Sequence, residues 1–345
     1  MKLTSPTSLC PTLFGELLVK PKDHPRGQAY LSAASGLVRV GKRWYVIADD
    51  ELHVGVFEER LRNVTKTRRL KKGKLVRLLG GTMPDDVKGR KAAKPDFESL
   101  VLLPAFRSSS AGALLALGSG SRPNRQIGVM IELDPDGGLD QHRVPSDSIG
   151  QVDLTPLYAS LRKHFSDLNI EGAFVSEDST EFILLHRGNQ GDARSACVRY
   201  DWPSLQQWLI RQRQGASKKQ TPPAKSVQII QLGSVNGVAL SLTDGAALAG
   251  GSWAFCAVAE ATMDSVQDGA CVGAAVGVIN RSGEVIYLRT LRGNPKVEGI
   301  CVEPKNANLE VTLVTDPDNP DFASQMFKVT LEGLPANEAA ASLGD

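Results

Sequence analysis

Forty Lys and Arg against 38 Asp and Glu in 345 residues leave a formal charge of +2 at pH 7, too little for a domain built around nucleic acid, which would be strongly basic. The length suits two average domains or one large all-β domain. Thirty-three glycines with only 6% aromatic residues suit many tight turns.

Residues 1–14 hold one Lys, two prolines and scattered Ser and Thr, without the continuous apolar core of a signal peptide. No stretch approaches the roughly 18 apolar residues of a membrane span. The five cysteines (Cys10, Cys197, Cys256, Cys271, Cys301) are odd in number and lack CxxC spacing, against a disulfide framework or a zinc site. A cytoplasmic monomer with neither membrane nor nucleic-acid partner is the expectation.

In chain order, the first apolar segment is Thr12 to Val19. Ser35-Gly36-Leu37-Val38 opens a strand, and Trp44 to Ala48 forms the next. Arg60 to Lys74 is basic, but no aromatic residues interleave for base stacking, so a solvated hairpin is expected there. Lys74 to Leu78 closes the unit, and Glu98-Ser99-Leu100-Val101 opens a second, followed by strands at Leu114 to Leu117 and Gly128 to Glu132. Helical spacing of apolar residues marks Leu157 to Phe165. Glu171-Gly172-Ala173-Phe174 opens a third unit, with strands at Phe182 to Leu185, Cys197 to Tyr200 and Val227 to Ile230. A second helix is expected over Ser204 to Gln212, and a flexible loop over Gly215 to Lys225. Asn236-Gly237-Val238-Ala239 opens a fourth unit, and Glu298-Gly299-Ile300-Cys301 a fifth. Residues 336–345 read as a disordered polar tail.

One phrase thus recurs: a polar residue, a small residue, then an apolar strand, with first residues 63, 73, 65 and 62 positions apart. An internal repeat of this kind decides the fold. Four short antiparallel strands per unit make a propeller blade. Residues 1–335 therefore read as one all-β domain, a five-bladed β-propeller with blades starting near 35, 98, 171, 236 and 298. The fifth unit is one strand short, so Thr12 to Val19 is expected to pair with Met326 to Thr330 and close the ring.

In an antiparallel pair the start of one strand lies beside the end of the next. Ser35, Glu98, Glu171, Asn236 and Glu298 should therefore ring the central axis at one end, backed by Asp49, Asp50, Ser119, Arg187, Asn189, Glu260 and Asp316. Three clustered carboxylates repel one another, and a cation relieves this most directly. Oxygen donors without His or Cys favour a hard ion, calcium before magnesium. Structural pairing of the glutamates with Arg187 or Lys94 is the alternative. Lys94, Arg122, Arg125, Arg187 and Asn189 are placed to hold an anion, and Asp49 or Glu260 to orient water. The five histidines show no metal-ligand spacing, and Asp316 to Asp321 lacks the EF-hand offsets and reads as an Asx-rich turn.

The phrases Ser35-Gly36-Leu37 leading to Ala48-Asp49-Asp50, Leu157-Tyr158-Ala159-Ser160-Leu161 ahead of Glu171, and Val297-Glu298-Gly299-Ile300 resemble those of the calcium-activated nucleotidases (apyrases). Phytase-like and gluconolactonase-like propellers are similar in their Glu-Gly blade starts, and the chain as a whole resembles a bacterial β-propeller family of open function. The apyrase resemblance implies five blades around a central calcium held by Glu and Ser side chains. Asn236 in the ring departs from that pattern. Two functions follow as expectations: a metal-dependent hydrolase of a phosphorylated or other anionic small molecule (phosphoester, phosphoanhydride or lactone), or a non-enzymatic binding scaffold with a structural central ion.

Overall fold

The computed structural model describes residues 8–61, 68–104, 109–139, 149–188, 194–213, 220–261, 269–306 and 308–334. Residues 215–219 of the loop expected over Gly215 to Lys225, and the tail at 336–345, lie outside them. Blade 1 is Ala34–Val40, Arg43–Ala48 and His53–Leu61, the last pairing with both Lys74–Arg77 and Arg68–Leu70. Blade 2 is Phe97–Leu103, Ala113–Gly118, Ile127–Glu132 and Ile149–Asp153. Blade 3 is Ile170–Val175, Glu181–His186, Ser195–Asp201 and Ser226–Ile230. Blade 4 is Ser241–Ala247, Trp253–Ala261, Ala270–Ile279 and Val285–Thr290. Blade 5 is Val297–Lys305, Asn308–Thr315 and Gln325–Leu331, completed by the N-terminal strand Thr12–Glu16. The first strand of each blade contacts the first strands of both neighbours, so the five form a closed ring of inner strands.

Ring closure follows the count of strands. Thr12 faces Lys328, Leu13 faces Phe327, and Glu16 faces Gln325. Past that strand, Leu17 and Val19 are fully buried. Pairing here covers the outward edge of Gln325–Leu331, where an unpaired strand would invite association.

Alternation along the strands explains the packing. In Ala113–Gly118 every residue is buried, because blades stack face to face. Leu114 and Ala116 pack toward blade 1, while Leu115 and Leu117 pack toward blade 3. Successive side chains of a strand point to opposite faces, so an unbroken apolar run feeds two layers. Among the described residues the core divides into five such layers, one between each pair of adjacent blades.

Two helices lie near their expected places, at Thr155–Leu161 and Trp202–Arg213. The second is capped by Asp201, which accepts from the Ser204 amide at 3.0 Å, and buries Trp202, Leu205, Trp208 and Leu209 on the layer between blades 2 and 3. No helix among the described residues is long and apolar enough to cross a membrane.

The fourth blade corrects one expectation. Asn236 does not open an inner strand. It is exposed at the turn of a small hairpin, Ser234–Val235 with Val238–Ala239, and its side-chain amide donates to the Val272 carbonyl at 3.3 Å. Asn236 and Gly237 have φ of 52° and 82°, the left-handed pair that a two-residue hairpin turn requires. The inner strand of blade 4 starts five residues later, at Ser241.

Candidate axial site

Each inner strand carries a register break near its start: between Ala34 and Gly36, Phe97 and Ser99, Ile170 and Gly172, Leu242 and Asp244, and Val297 and Gly299. The residue left unpaired in each break is Ser35, Glu98, Glu171, Thr243 or Glu298. A β-bulge re-aims the extra side chain out of the ladder. Four of the five were expected ring residues, and Thr243 takes the place assigned to Asn236.

Below four of the five bulges the backbone is clamped in the same way. The amides of Asp49, Ser119, Arg187 and Asp316 donate to the carbonyls of Ala33, Asp96, Asn169 and Lys296 at 2.9–3.1 Å. Each acceptor lies two residues before its bulge. This brings together, at one end of the ring, the bulge residues, the residues leaving each second strand, and the side chains of Asp96, Asn169 and Lys296.

The two hydroxyl bulges tie blades together. Ser35 Oγ donates to the Phe97 carbonyl at 2.5 Å, and Thr243 Oγ1 donates to the Val297 carbonyl at 2.9 Å. In both cases the acceptor is the residue preceding the next blade's glutamate.

The charged groups divide into two halves. Between blades 1 and 2, Asp49, Asp96 and Glu98 each place one oxygen within 4.8 Å of the others. The Lys94 ammonium contacts Asp49 and lies 2.8 Å from Asp96 Oδ1. Asp96 Oδ2 also accepts from Arg125 at 2.7 Å and from Ser119 Oγ at 2.5 Å. Among blades 3, 4 and 5, the Arg187 guanidinium lies 2.6 Å from Glu260, 3.5 Å from Glu171 and 3.9 Å from Glu298. Lys296 lies 3.3 Å from Glu260, 3.6 Å from Glu298 and 3.6 Å from Asp316, and also contacts Asp318. The Asp316–Asp321 segment forms Asx turns, in which Asp316 and Asn319 accept from the Asp318 and Asp321 amides.

Negative charge is in excess. Asp49, Asp96, Glu98, Glu171, Glu260, Glu298 and Asp316 face Lys94, Arg125, Arg187 and Lys296, a formal −3 before Asp318 is added. Burial pushes Glu98 well above the usual carboxylate range, and the charges of Glu171, Asp96 and Asp49 push the same way. Burial also raises Glu298 well above that range, although Lys296 and Arg187 oppose it. Asp49 and Asp316 are pushed up to about 6, again chiefly by burial. For Arg187 and Lys296 burial would favour deprotonation, but the surrounding carboxylates outweigh it and hold both charged. Lys94 opposes that rise at Glu98, and among the described residues the buried Oε2 of Glu298 has no hydrogen-bond donor.

Other expected residues fall elsewhere. Arg125 is buried in its bonds to Asp96, Ser121 and the Lys91 carbonyl, so it supports the site from behind. Arg122 is half-buried at the start of the 3-10 turn Pro123–Arg125 and makes none of the axial contacts. Asp50 turns off the axis toward Arg26 at 3.1 Å. Asn189 lies outside the described residues. His186 stacks on Phe165 at 4.1 Å between ring centroids, a packing role. Asp96 and Lys296 were not anticipated.

Residues 30–331 match the family of unknown function DUF6929. No curated protein matches the sequence. Solved structures similar to this chain include a luciferin-regenerating enzyme, 9% identical with a TM-score of 0.40 over 87% of this chain and 78% of that one. A putative gluconolactonase is 11% identical with a TM-score of 0.38, over 96% and 95%. The PQQ-bound aldose sugar dehydrogenase of Streptomyces coelicolor is 9% identical with a TM-score of 0.38, over 94% and 99%. At these identities and scores they carry no functional inference, and none of the three is an apyrase or a phytase. The match over most of its length makes the chain a member of the DUF6929 family.

Proposed function

We propose that this DUF6929 protein holds a hard divalent cation at the axial mouth through Asp49, Asp96 and Glu98, and uses it to bind an anionic small molecule for hydrolysis. The observation that carries this reading is the imbalance, among the described residues, of seven carboxylates over four cations around three converging carboxylate oxygens. The undonated Oε2 of Glu298 points the same way. An all-oxygen donor set spread over two blades fits calcium better than magnesium, which demands near-ideal octahedral geometry. When bound, such an ion would neutralise the mouth and polarise a phosphoryl or carbonyl oxygen. The chain's own groups do the rest. Lys94, Arg187 and Lys296 stay protonated and would supply positive charge to an anion, while Asp49 and Glu260 would orient water.

A second reading draws on one specific feature. Arg187 touches glutamates from blades 3, 4 and 5, so the chain's own cations fasten the ring, and the protein is a scaffold without turnover.

Calorimetry and melting with calcium or chelator, on wild type and Glu98→Gln, test the cation. We expect calcium to raise the wild-type melting temperature by mass action, and the variant to need far more of it. No heat of binding and no change in melting would overturn the cation. Binding without turnover of phosphoester, phosphoanhydride and lactone substrates would select the scaffold.

A further inference from the structure

We infer that blade 1 carries a second binding surface of opposite sign, a basic two-stranded ribbon that docks on the phosphate backbone of a nucleic-acid duplex. Strand direction places it. His53–Leu61 starts at the axial mouth and runs away from it, and its neighbour Arg43–Ala48 accompanies it only as far as the Arg43–Glu58 pair. Beyond that point it continues with Arg68–Leu70 as its partner, through the pairs Glu59–Leu70, Arg60–Arg69 and Leu61–Arg68. The ribbon therefore leaves the blade at the end opposite the acidic site.

The net charge of +2 conceals a segregation. Residues 60–77 contain nine Lys and Arg and no Asp or Glu, which leaves 31 against 38 in the remainder, a formal −7. Arg60, Arg69, Lys71, Lys72, Lys74 and Arg77 are all exposed. Lys71 pairs with Glu58 at 2.7 Å, and Arg77 donates to the carbonyls of Leu79 and Gly81. Arg60 and Arg69 stand directly opposite one another, and like charges so placed destabilise a strand pair. An anion bound across them offsets that cost.

The chemistry selects a duplex. No Phe, Tyr or Trp lies in 60–77 to stack on unpaired bases. Of the apolar residues whose burial is described here, Leu70 and Leu75 are half-buried and Val76 is buried. Exposed Leu13 on the adjoining N-terminal strand is by itself too little apolar surface for membrane insertion. A two-stranded ribbon fits the major groove, and cations on phosphates read no sequence. This surface revises the expectation of a merely solvated hairpin, and it stands or falls independently of the axial site.

The test is fluorescence anisotropy of the full chain with a labelled DNA duplex over a salt series. We expect log K to fall with log salt at a slope of about −4, as four or five phosphate contacts require. Arg60→Glu with Arg69→Glu should weaken binding at least about tenfold at low salt, while Lys163→Glu, an exposed cation in the turn after the helix Thr155–Leu161, should not. If the first pair fails to fold, as melting would show, Lys72→Glu with Lys74→Glu serves instead. Absence of binding at low salt, or equal losses in ribbon and control variants, would overturn the inference. Binding to phosphatidylserine vesicles without binding to duplex would also overturn it and assign the ribbon to membranes.

Discussion

The residue that follows the bulge is Gly36, Ser99, Gly172 or Gly299 in four blades and Asp244 in blade 4. Small residues belong there because the next blade's backbone comes close. A Cβ on Gly36 would sit 2.8 Å from the Leu100 nitrogen, and one on Gly299 would sit 3.0 Å from the Leu37 nitrogen. Asp244 meets the same neighbour by bonding to it. Its two oxygens accept separately from the amides of Gly245 at 2.8 Å and Ile300 at 3.1 Å. Burial pushes the Asp244 carboxyl well up, and these two amide bonds oppose the shift. Asp244→Asn keeps the shape but turns an NH2 group toward one backbone donor. Leaving a buried group unpaired costs about 1–3 kcal/mol, so we expect that loss in urea unfolding and faster exchange of the Ile300 amide. Unchanged stability would mean that Asp244 already carries a proton.

At the scale of elements, most of the fold was legible because bulges and inner strands leave a written trace: a polar residue, a small one, then apolar residues. Blade 4 escaped for two physical reasons. Asn236-Gly237 matches the phrase, but turn chemistry claims it, since both residues adopt the left-handed conformation of a hairpin. The true phrase, Thr243-Asp244-Gly245, has a carboxylate where a small residue was sought. Asp96 and Lys296 were invisible for another reason. Their position is set by a carbonyl that clamps the neighbouring strand, a role indifferent to side chain. The N-terminal strand, by contrast, could be found by counting, because the fifth unit lacked one. Deleting residues 1–20 would uncover the edge of Gln325–Leu331 and remove the buried Leu17 and Val19. We expect aggregation on size-exclusion chromatography and a lower melting temperature. A truncated protein that melts like the full chain would show that closure contributes little.

For the molecule as a whole, the ring gathers acidic groups from all five blades, Glu260 standing for the blade whose bulge residue is Thr243, and this sets its response to pH. Asp49, Asp50 and Asp316 are pushed up to about 6 from 3.8, burial being the largest cause in each. Between these values the folded chain keeps protons that the unfolded chain has released. Fewer protons bound in the unfolded state make the slope of stability with pH negative. Stability contributed by this end of the ring therefore falls as pH rises from about 4 to about 6. Glu310 acts in the opposite sense. Burial would raise it, but Lys305 and Lys328 outweigh burial and bring it down to about 2. Its contribution is thus present above 4.5 and lost as pH falls toward about 2. The two trends place maximal stability near the acid edge of the usual range of about pH 5 to 8. Melting of chelator-treated protein should therefore drop between about pH 4 and 6, and Asp49→Asn should remove part of the drop. Calcium should flatten the curve by neutralising the same carboxylates once they ionise. A melting temperature that is level or rising over this interval without calcium would show that Lys94, Arg187 and Lys296 already balance the mouth, and the argument from excess negative charge would fall with it.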